Sequence, residues 1–250
     1  MSPEQSFAKK VAEAKVFQHY GNLANQIDSF FPDLDPRILL AFEDVDRFVF
    51  AGWFLELGQS QRWTMEDMLM LVNFMGASLP ISAEATTSHP VLIAQMHAHA
   101  LPADATDLSK KTIVEIGSGC GYGLALLSAE GWGNVFGFEI DQGLTEYSTQ
   151  AVGQCGYSPT IVKGNGFKML PTLAKKQPID SVIVSAAFPR GLGARYISHL
   201  RSGGKLVIPE MVDRPRDGIA QTQIQVYTRR DEGYEHYELG QVTQFVVGRT

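Results

Sequence analysis

The chain is short of several things that would place it quickly. It has two cysteines in 250 residues, Cys120 and Cys155. They lack CxxC spacing and have no companion histidine cluster, which excludes a disulfide framework and a cysteine-held structural zinc and suits a reducing compartment. Basic charge is scarce and scattered: the formal charge is −6. That argues against nucleic acid and acidic membrane surfaces as partners. No apolar run is long enough to span a bilayer, and the opening MSPEQSFAKK lacks the apolar core of a signal peptide. The expectation is a soluble cytoplasmic protein. The phosphate-cradling pattern GxxxxGK[ST] is absent, and so are internal repeats and low-complexity tracts. What remains is ample for a core: 44% of residues are hydrophobic and 19% charged.

The chain is organised around Thr112–Gly123, TIVEIGSGCGYG. Ile113, Val114 and Ile116 read as a buried strand that runs into Gly117, Gly119 and Gly121, and Leu124, Leu126 and Leu127 open a helix. A strand, a glycine turn and a helix N-terminus together make a site for a nucleotide-like ligand, with backbone N–H groups facing it. Downstream, strands alternate with helices. Strands are expected at Val135–Glu139, Thr160–Lys163, Asp180–Ser185 and Lys205–Ile208, with helices over about 122–130, 143–154 and 191–200. Asn165-Gly166 reads as a turn. Two last strands, Gln223–Tyr227 and Val242–Val247, read as an antiparallel hairpin at one edge. The fold class is α/β, a doubly wound, mostly parallel sheet of Rossmann-like type with antiparallel C-terminal strands.

The upstream part reads as helical, a lid over residues 1–80, with the main domain at 81–250. A first helix is expected over about 4–27, and a second is opened by Asp35-Pro36. An apolar stretch, Phe48–Leu57, follows. Thr64 caps a further helix that carries Met65, Met68, Leu69, Val72 and Met75 and ends at Gly76; methionines at this spacing read as packing. Leu79–Pro90, small and hydroxyl-rich, reads as a loop before a helix that begins at Val91. His97 and His99 on that helix are two apart and point different ways, so no metal site is expected.

The glycine spacing decides among ligands. A dinucleotide loop wants GxGxxG, and the third glycine would fall on Tyr122. Glu115-x-Gly117-x-Gly119-x-Gly121 instead resembles the S-adenosylmethionine loop of class I methyltransferases. That ligand has no pyrophosphate, so the helix N-terminus meets a carboxylate, and Glu115 can meet the ammonium. Glu139, about twenty residues on, can accept ribose hydroxyls, with Asp141 a second candidate. Gly164-Asn165-Gly166 can edge an adenine.

More specifically, the sequence resembles the protein-L-isoaspartate O-methyltransferase family over roughly residues 38–250. Ala41–Val49 is similar to AF-x-x-VPR-x-x-FV, Thr86–Pro90 to T-I-S-x-P, and Val184–Pro189 to V-T-A-A-x-P. Gly203–Pro209 is similar to GG-x-LVIP, and Leu239-Gly240 with Phe245-Val246 to LG…FVP. The resemblance implies a methyl transfer from S-adenosylmethionine to the free carboxylate of an isoaspartyl residue in a peptide or protein, after which the ester collapses to a succinimide. It implies Ser88 as the catalytic hydroxyl that orients the carboxylate, with Thr86, Thr87 and Val246 at the substrate. It places Glu115, Gly117, Ser118, Gly119, Cys120, Gly121, Glu139, Asn165 and Gly166 at the cofactor.

The sequence departs from the pattern in four places. Thr87 stands where an apolar residue is usual and Asn165 where aspartate is. Val247 stands where the proline of FVP would be, and the segment between Phe48 and Leu79 is longer and differently composed. Three alternatives therefore stay open: a carboxyl O-methyltransferase with a dedicated peptide, an inactive cofactor-binding module, and a nicotinamide oxidoreductase, the last disfavoured by Tyr122.

Overall fold

A computed structural model describes residues 23–74 and 76–248. The expected first helix lies outside these up to residue 22, as does Met75. Helix α1, Leu23–Phe30, turns Leu23, Ala24 and Ile27 inward. Helix α2, Pro36–Asp44, opens as expected: the Asp35 side chain accepts from Arg37 N–H, and Pro36 fills the first position. The apolar stretch then divides at Ala51 into a 3-10 turn, Arg47–Phe50, and helix α3, Gly52–Ser60. Helix α4, Met65–Val72, carries a capping box between Thr64 and Asp67. It stops at Val72 rather than at Gly76, because Asn73 ends it and turns its amide back onto Leu69 O at 3.1 Å. Met68 packs with Phe48, Phe54, Leu55, Leu69, Val72 and Leu79 in a small core of its own. By contrast, α1 and α2 give Ile27, Ile38 and Phe42 to the main core.

The hydroxyl-rich loop is pinned by a two-residue pairing, β1 Leu79–Pro80 with β2 Thr86–Thr87. Helix α5, Pro90–Ala100, follows. Its two histidines do point apart: His97 is buried on Glu130, and His99 meets the Tyr237 hydroxyl at 2.9 Å.

The α/β part runs β3 Thr112–Ile116, α6 Tyr122–Ala129, β4 Asn134–Glu139, α7 Gln142–Gln154, β5 Thr160–Lys163, α8 Gly166–Ala174, β6 Ser181–Val184, α9 Leu192–Tyr196 and β7 Lys205–Met211. Strands β8 Ile219–Arg229 and β9 Tyr234–Val246 close the chain. The seven-stranded sheet has the order β5-β4-β3-β6-β7-β8-β9; β3 to β7 pair in parallel and the last two strands antiparallel. One face carries α5 to α7 with α1 and α2, and the other carries α8 and α9. Helix α8 was not expected. Asn165 is no free turn but its N-cap, accepting from Lys168 N–H at 3.1 Å, and Pro171 lies inside the helix, where a proline reads as a breaker. The C-terminal hairpin is also much longer than the two short runs its apolar residues marked. The strand order reverses between β3 and β6, so a crevice opens at their carboxyl ends.

Candidate active site

The glycine loop leaves β3 into that crevice. Gly119 takes φ +54°, and a Cβ there would lie 2.8 Å from Ile81 Cδ1, which reaches over the loop from beside β1. Gly121 takes φ +88° as the N-cap of α6; a Cβ would meet Val152 Cγ2 and Ser148 Cβ on α7 at 2.8 and 2.9 Å. Only glycine combines that left-handed backbone with such close approach. Gly119 N–H donates to Glu139 Oε2 at 2.8 Å, and Asp141 N–H to Oε1 at 2.9 Å. Glu139 is thus fixed beside the loop, as read from its strand-end position. Asp141 turns its carboxylate onto Leu144 N–H and caps α7 instead.

The buried carboxylates differ in how fully they are partnered. Asp180 receives Thr112 N–H on one oxygen and Arg201 Nε on the other. Glu210 receives Gly191 N–H on Oε2, and Gly193 N–H and Tyr227 hydroxyl on Oε1. Glu130 holds His97 Nδ1 at 2.5 Å and Trp132 Nε1 at 3.2 Å. Glu115 has only the Ser185 hydroxyl, 2.8 Å from Oε1, and Oε2 has no partner among the described residues. Buried acceptors are rarely left so. Burial pushes the Glu115 carboxyl up to about 7, against the lowering effect of the Ser185 bond and of His97 and with the raising effect of Glu139. The Ser118 hydroxyl, also buried at the loop, is partnerless too. An ammonium at Glu115 Oε2 and a further polar group at Ser118 are what S-adenosylmethionine would bring, so these residues fit it. Cys120 is buried in the same loop, and burial drives its thiol up to about 11, so it serves as packing.

Two cavities meet here. A cleft of about 40 Å3 over the loop is lined by Glu115, Gly117, Ser118, Gly119, Cys120 and Thr87 among others. A groove of about 460 Å3 beside it is lined by Ser78, His89, Phe245 and Val246 among others. Thr86, Ser88 and Ser185 line both. The loop that carries Ser88 is held from behind by Arg47, 2% exposed, whose guanidinium donates to Val72 O at 2.9 Å, Ala77 O at 2.7 Å and Ser88 O at 3.4 Å. Val246 sits at the end of β9, where its carbonyl accepts from Ala187 N–H at 2.8 Å. The missing proline has a local reason: Val247 N–H donates to Gly218 O at 2.8 Å, a bond proline cannot make.

Of the expected site residues, the structure brings Glu115, the glycine loop, Glu139 and the Thr86–Ser88 hydroxyls to one crevice. Asn165 and Gly166 line neither cavity. They lie at the next strand end, where Gly164 N–H donates to Glu139 O at 2.7 Å. Sequence reasoning missed Ser185, His89, Ile81 and the support from Arg47. The signal for Ser185 was its place directly after β6, next to β3 across the sheet.

Known proteins resemble this chain over most of its length. The family model described as protein-L-isoaspartate(D-aspartate) O-methyltransferase matches residues 34–248. A protein-L-isoaspartate O-methyltransferase of Chlorobaculum parvum is 28% identical over 200 residues, 80% of this chain and 78% of that protein. One of Polaromonas sp. is 34% identical over 181 residues, 70% of this chain and 65% of that protein. A solved protein-L-isoaspartate O-methyltransferase superposes with a TM-score of 0.71 at 18% identity, which shows the fold; 91% of this chain is covered and 65% of that one. The chain thus spans a little under two thirds of the length of the latter two. The chain belongs to the protein-L-isoaspartate(D-aspartate) O-methyltransferase family.

Proposed function

We propose that the protein methylates the free carboxylate of L-isoaspartyl residues in peptides or proteins, with S-adenosylmethionine as methyl donor. The observation that carries this reading is the junction of the cofactor cleft and the 460 Å3 groove at Thr86, Ser88 and Ser185. The donor supplies an electrophilic methyl on a positively charged sulfur. A carboxylate oxygen forms the new C–O bond as the S–C bond breaks, leaving a neutral ester and a neutral thioether. An isoaspartyl carboxyl, with a reference pKa of about 4, is already ionised at neutral pH and needs no general base. The chain's task is alignment and exclusion of water. Ser88 would donate to the carboxylate and orient it toward the cleft, and Glu115 would hold the ammonium of the donor.

Among the described residues, the groove has no Lys, Arg, Asp or Glu in its lining. This suits a reaction that consumes one positive and one negative charge. A cation beside the acceptor would stabilise the ionised reactant more than the charge-dispersed transition state. Neutral hydroxyls orient the carboxylate without that penalty. The ester then leaves; attack of the following backbone nitrogen on it expels methanol and closes a succinimide, which water can reopen as normal aspartate, a repair.

The test is incubation with labelled S-adenosylmethionine and a short isoaspartyl peptide. Base-labile methyl ester should form with the native protein and be lost in Ser88→Ala. Cofactor binding with no ester would remove the reading. A second reading, the same chemistry on one dedicated peptide, is favoured by the 48–79 lid, which has its own small core and exposes Trp53, Trp63, Met70 and Phe74. It expects turnover on that peptide alone. We take residues 1–80 as the lid and 81–250 as the catalytic domain. No described helix is long and apolar enough to cross a membrane. The free Cys120 and Cys155 support a reducing, cytoplasmic setting.

A further inference from the structure

We propose that His89 is a specificity-determining residue, a neutral hydrogen-bond donor to a backbone carbonyl of the acceptor peptide beside the reacting residue. The inference rests on the peptide-methylating reading and adds a contact to it. His89 stands before Pro90 and caps α5: Leu92 N–H donates to its Nδ1 at 3.2 Å. A neutral imidazole that accepts at Nδ1 carries its proton on Nε2. Burial, and then the charge of Arg47, holds the ring below its ordinary pKa, so it stays neutral at physiological pH. Its Nε2–H is therefore a fixed donor, and no described residue accepts from it.

His89 lines the 460 Å3 groove but not the cofactor cleft, whereas its neighbour Ser88 lines both. Ser88 is thus placed at the reacting carboxylate and His89 farther along the acceptor. What lies there in a peptide is backbone, and the group that takes an N–H is a carbonyl oxygen. Because the donor is uncharged, it can hold the peptide without adding a cation to a groove whose lining has none.

The test separates the helix cap from the donor. Ser and Asp are good N-caps and neither carries an N–H, so His89→Ser and His89→Asp keep the cap but remove the donor. His89→Ala loses both. We expect His89→Ser to melt like the native protein and to bind S-adenosylmethionine equally well. Its KM for an isoaspartyl peptide should rise about five- to tenfold with kcat nearly unchanged, as loss of one neutral hydrogen bond implies. His89→Asp should raise KM further, by about a hundredfold, because it sets a like charge near the acceptor carboxylate. A His89→Ser variant with native KM overturns the proposal and leaves His89 a cap. If the native protein forms no ester with any isoaspartyl peptide, the functional reading fails and this inference falls with it.

Discussion

Replacing Glu115 tests the cofactor end of the site most directly. The groups that face its carboxyl are Ser185 after β6, His97 on α5, Glu139 ending β4 and Cys120 in its own loop. With its carboxyl near 7 in the free protein, Glu115 is half ionised at neutral pH. Only the ionised form attracts an ammonium. About three in four are ionised at pH 7.5 and about one in eleven at pH 6, so S-adenosylmethionine affinity should fall about eightfold over that interval. The window stays below the range, about 7.7–8.0, in which an α-amino group itself titrates. In Glu115→Gln this dependence should flatten. Affinity at pH 7.5 should drop by about 1.5–3 kcal/mol, the worth of a charged hydrogen bond.

The free protein gives a second, ligand-independent measure of Glu115. Its folded pKa is raised above the ordinary glutamate value of about 4.5. The associated stability is present below about 4.5 and lost as pH rises through 7, about 3 kcal/mol in all. The raised pKa of His97, where the charge and hydrogen bond of Glu130 outweigh burial, acts in the same sense. Most of that contribution comes from Glu130 and is common to both proteins; the smaller part that comes from the charge of Glu115 is lost with it. Glu115→Gln should therefore melt above the native protein at pH 8 and close to it at pH 4.5. Calorimetric affinity that is flat between pH 7.5 and 6, or a glutamine variant with native affinity, would refute the assignment of Glu115 to the ammonium.

Two further outcomes follow from the loop and the C-terminus. Ile81 covers Gly119 and leaves a cleft of only about 40 Å3, so Ile81→Ala should speed S-adenosylmethionine association in stopped-flow measurements; an unchanged or slower rate would show that the side chain does not gate the loop. Val247→Pro restores the family's usual proline but deletes the bond to Gly218 O. It should lower the melting temperature by about 2–4 °C, for a loss of about 1 kcal/mol, with cofactor affinity unchanged; a rise would contradict the local account.

What the sequence disclosed, and what it hid, follows the range over which its signals act. Strand β3, the glycine turn and α6 are one continuous segment, and their periodicity and glycines declare themselves. The caps at Asp35 and Thr64 are equally local. A local rule also misled: Asn165 followed by glycine reads as a turn, yet Asn165 caps α8, a helix that takes Pro171 within it. His89 escaped notice as a cap because serine, threonine, aspartate and asparagine lead at that position, and an imidazole accepts there only as a neutral tautomer. The apolar pattern marks only part of β8 and β9 because one flank of an edge hairpin faces water, and polar positions such as Glu235 and Glu238 interrupt it. The site itself is assembled across the sheet. Glu139 reaches Gly119 over 20 residues, and Ser185 reaches Glu115 over 70. The second contact exists because β6 pairs with β3 in the register Ile116↔Val184, which sets Ser185 N–H on Ile116 O at 2.9 Å and its hydroxyl beside the carboxylate. A single sequence states that Glu115 precedes the glycines; only the strand order sets Ser185 on its first oxygen and leaves the second without a partner among the described residues.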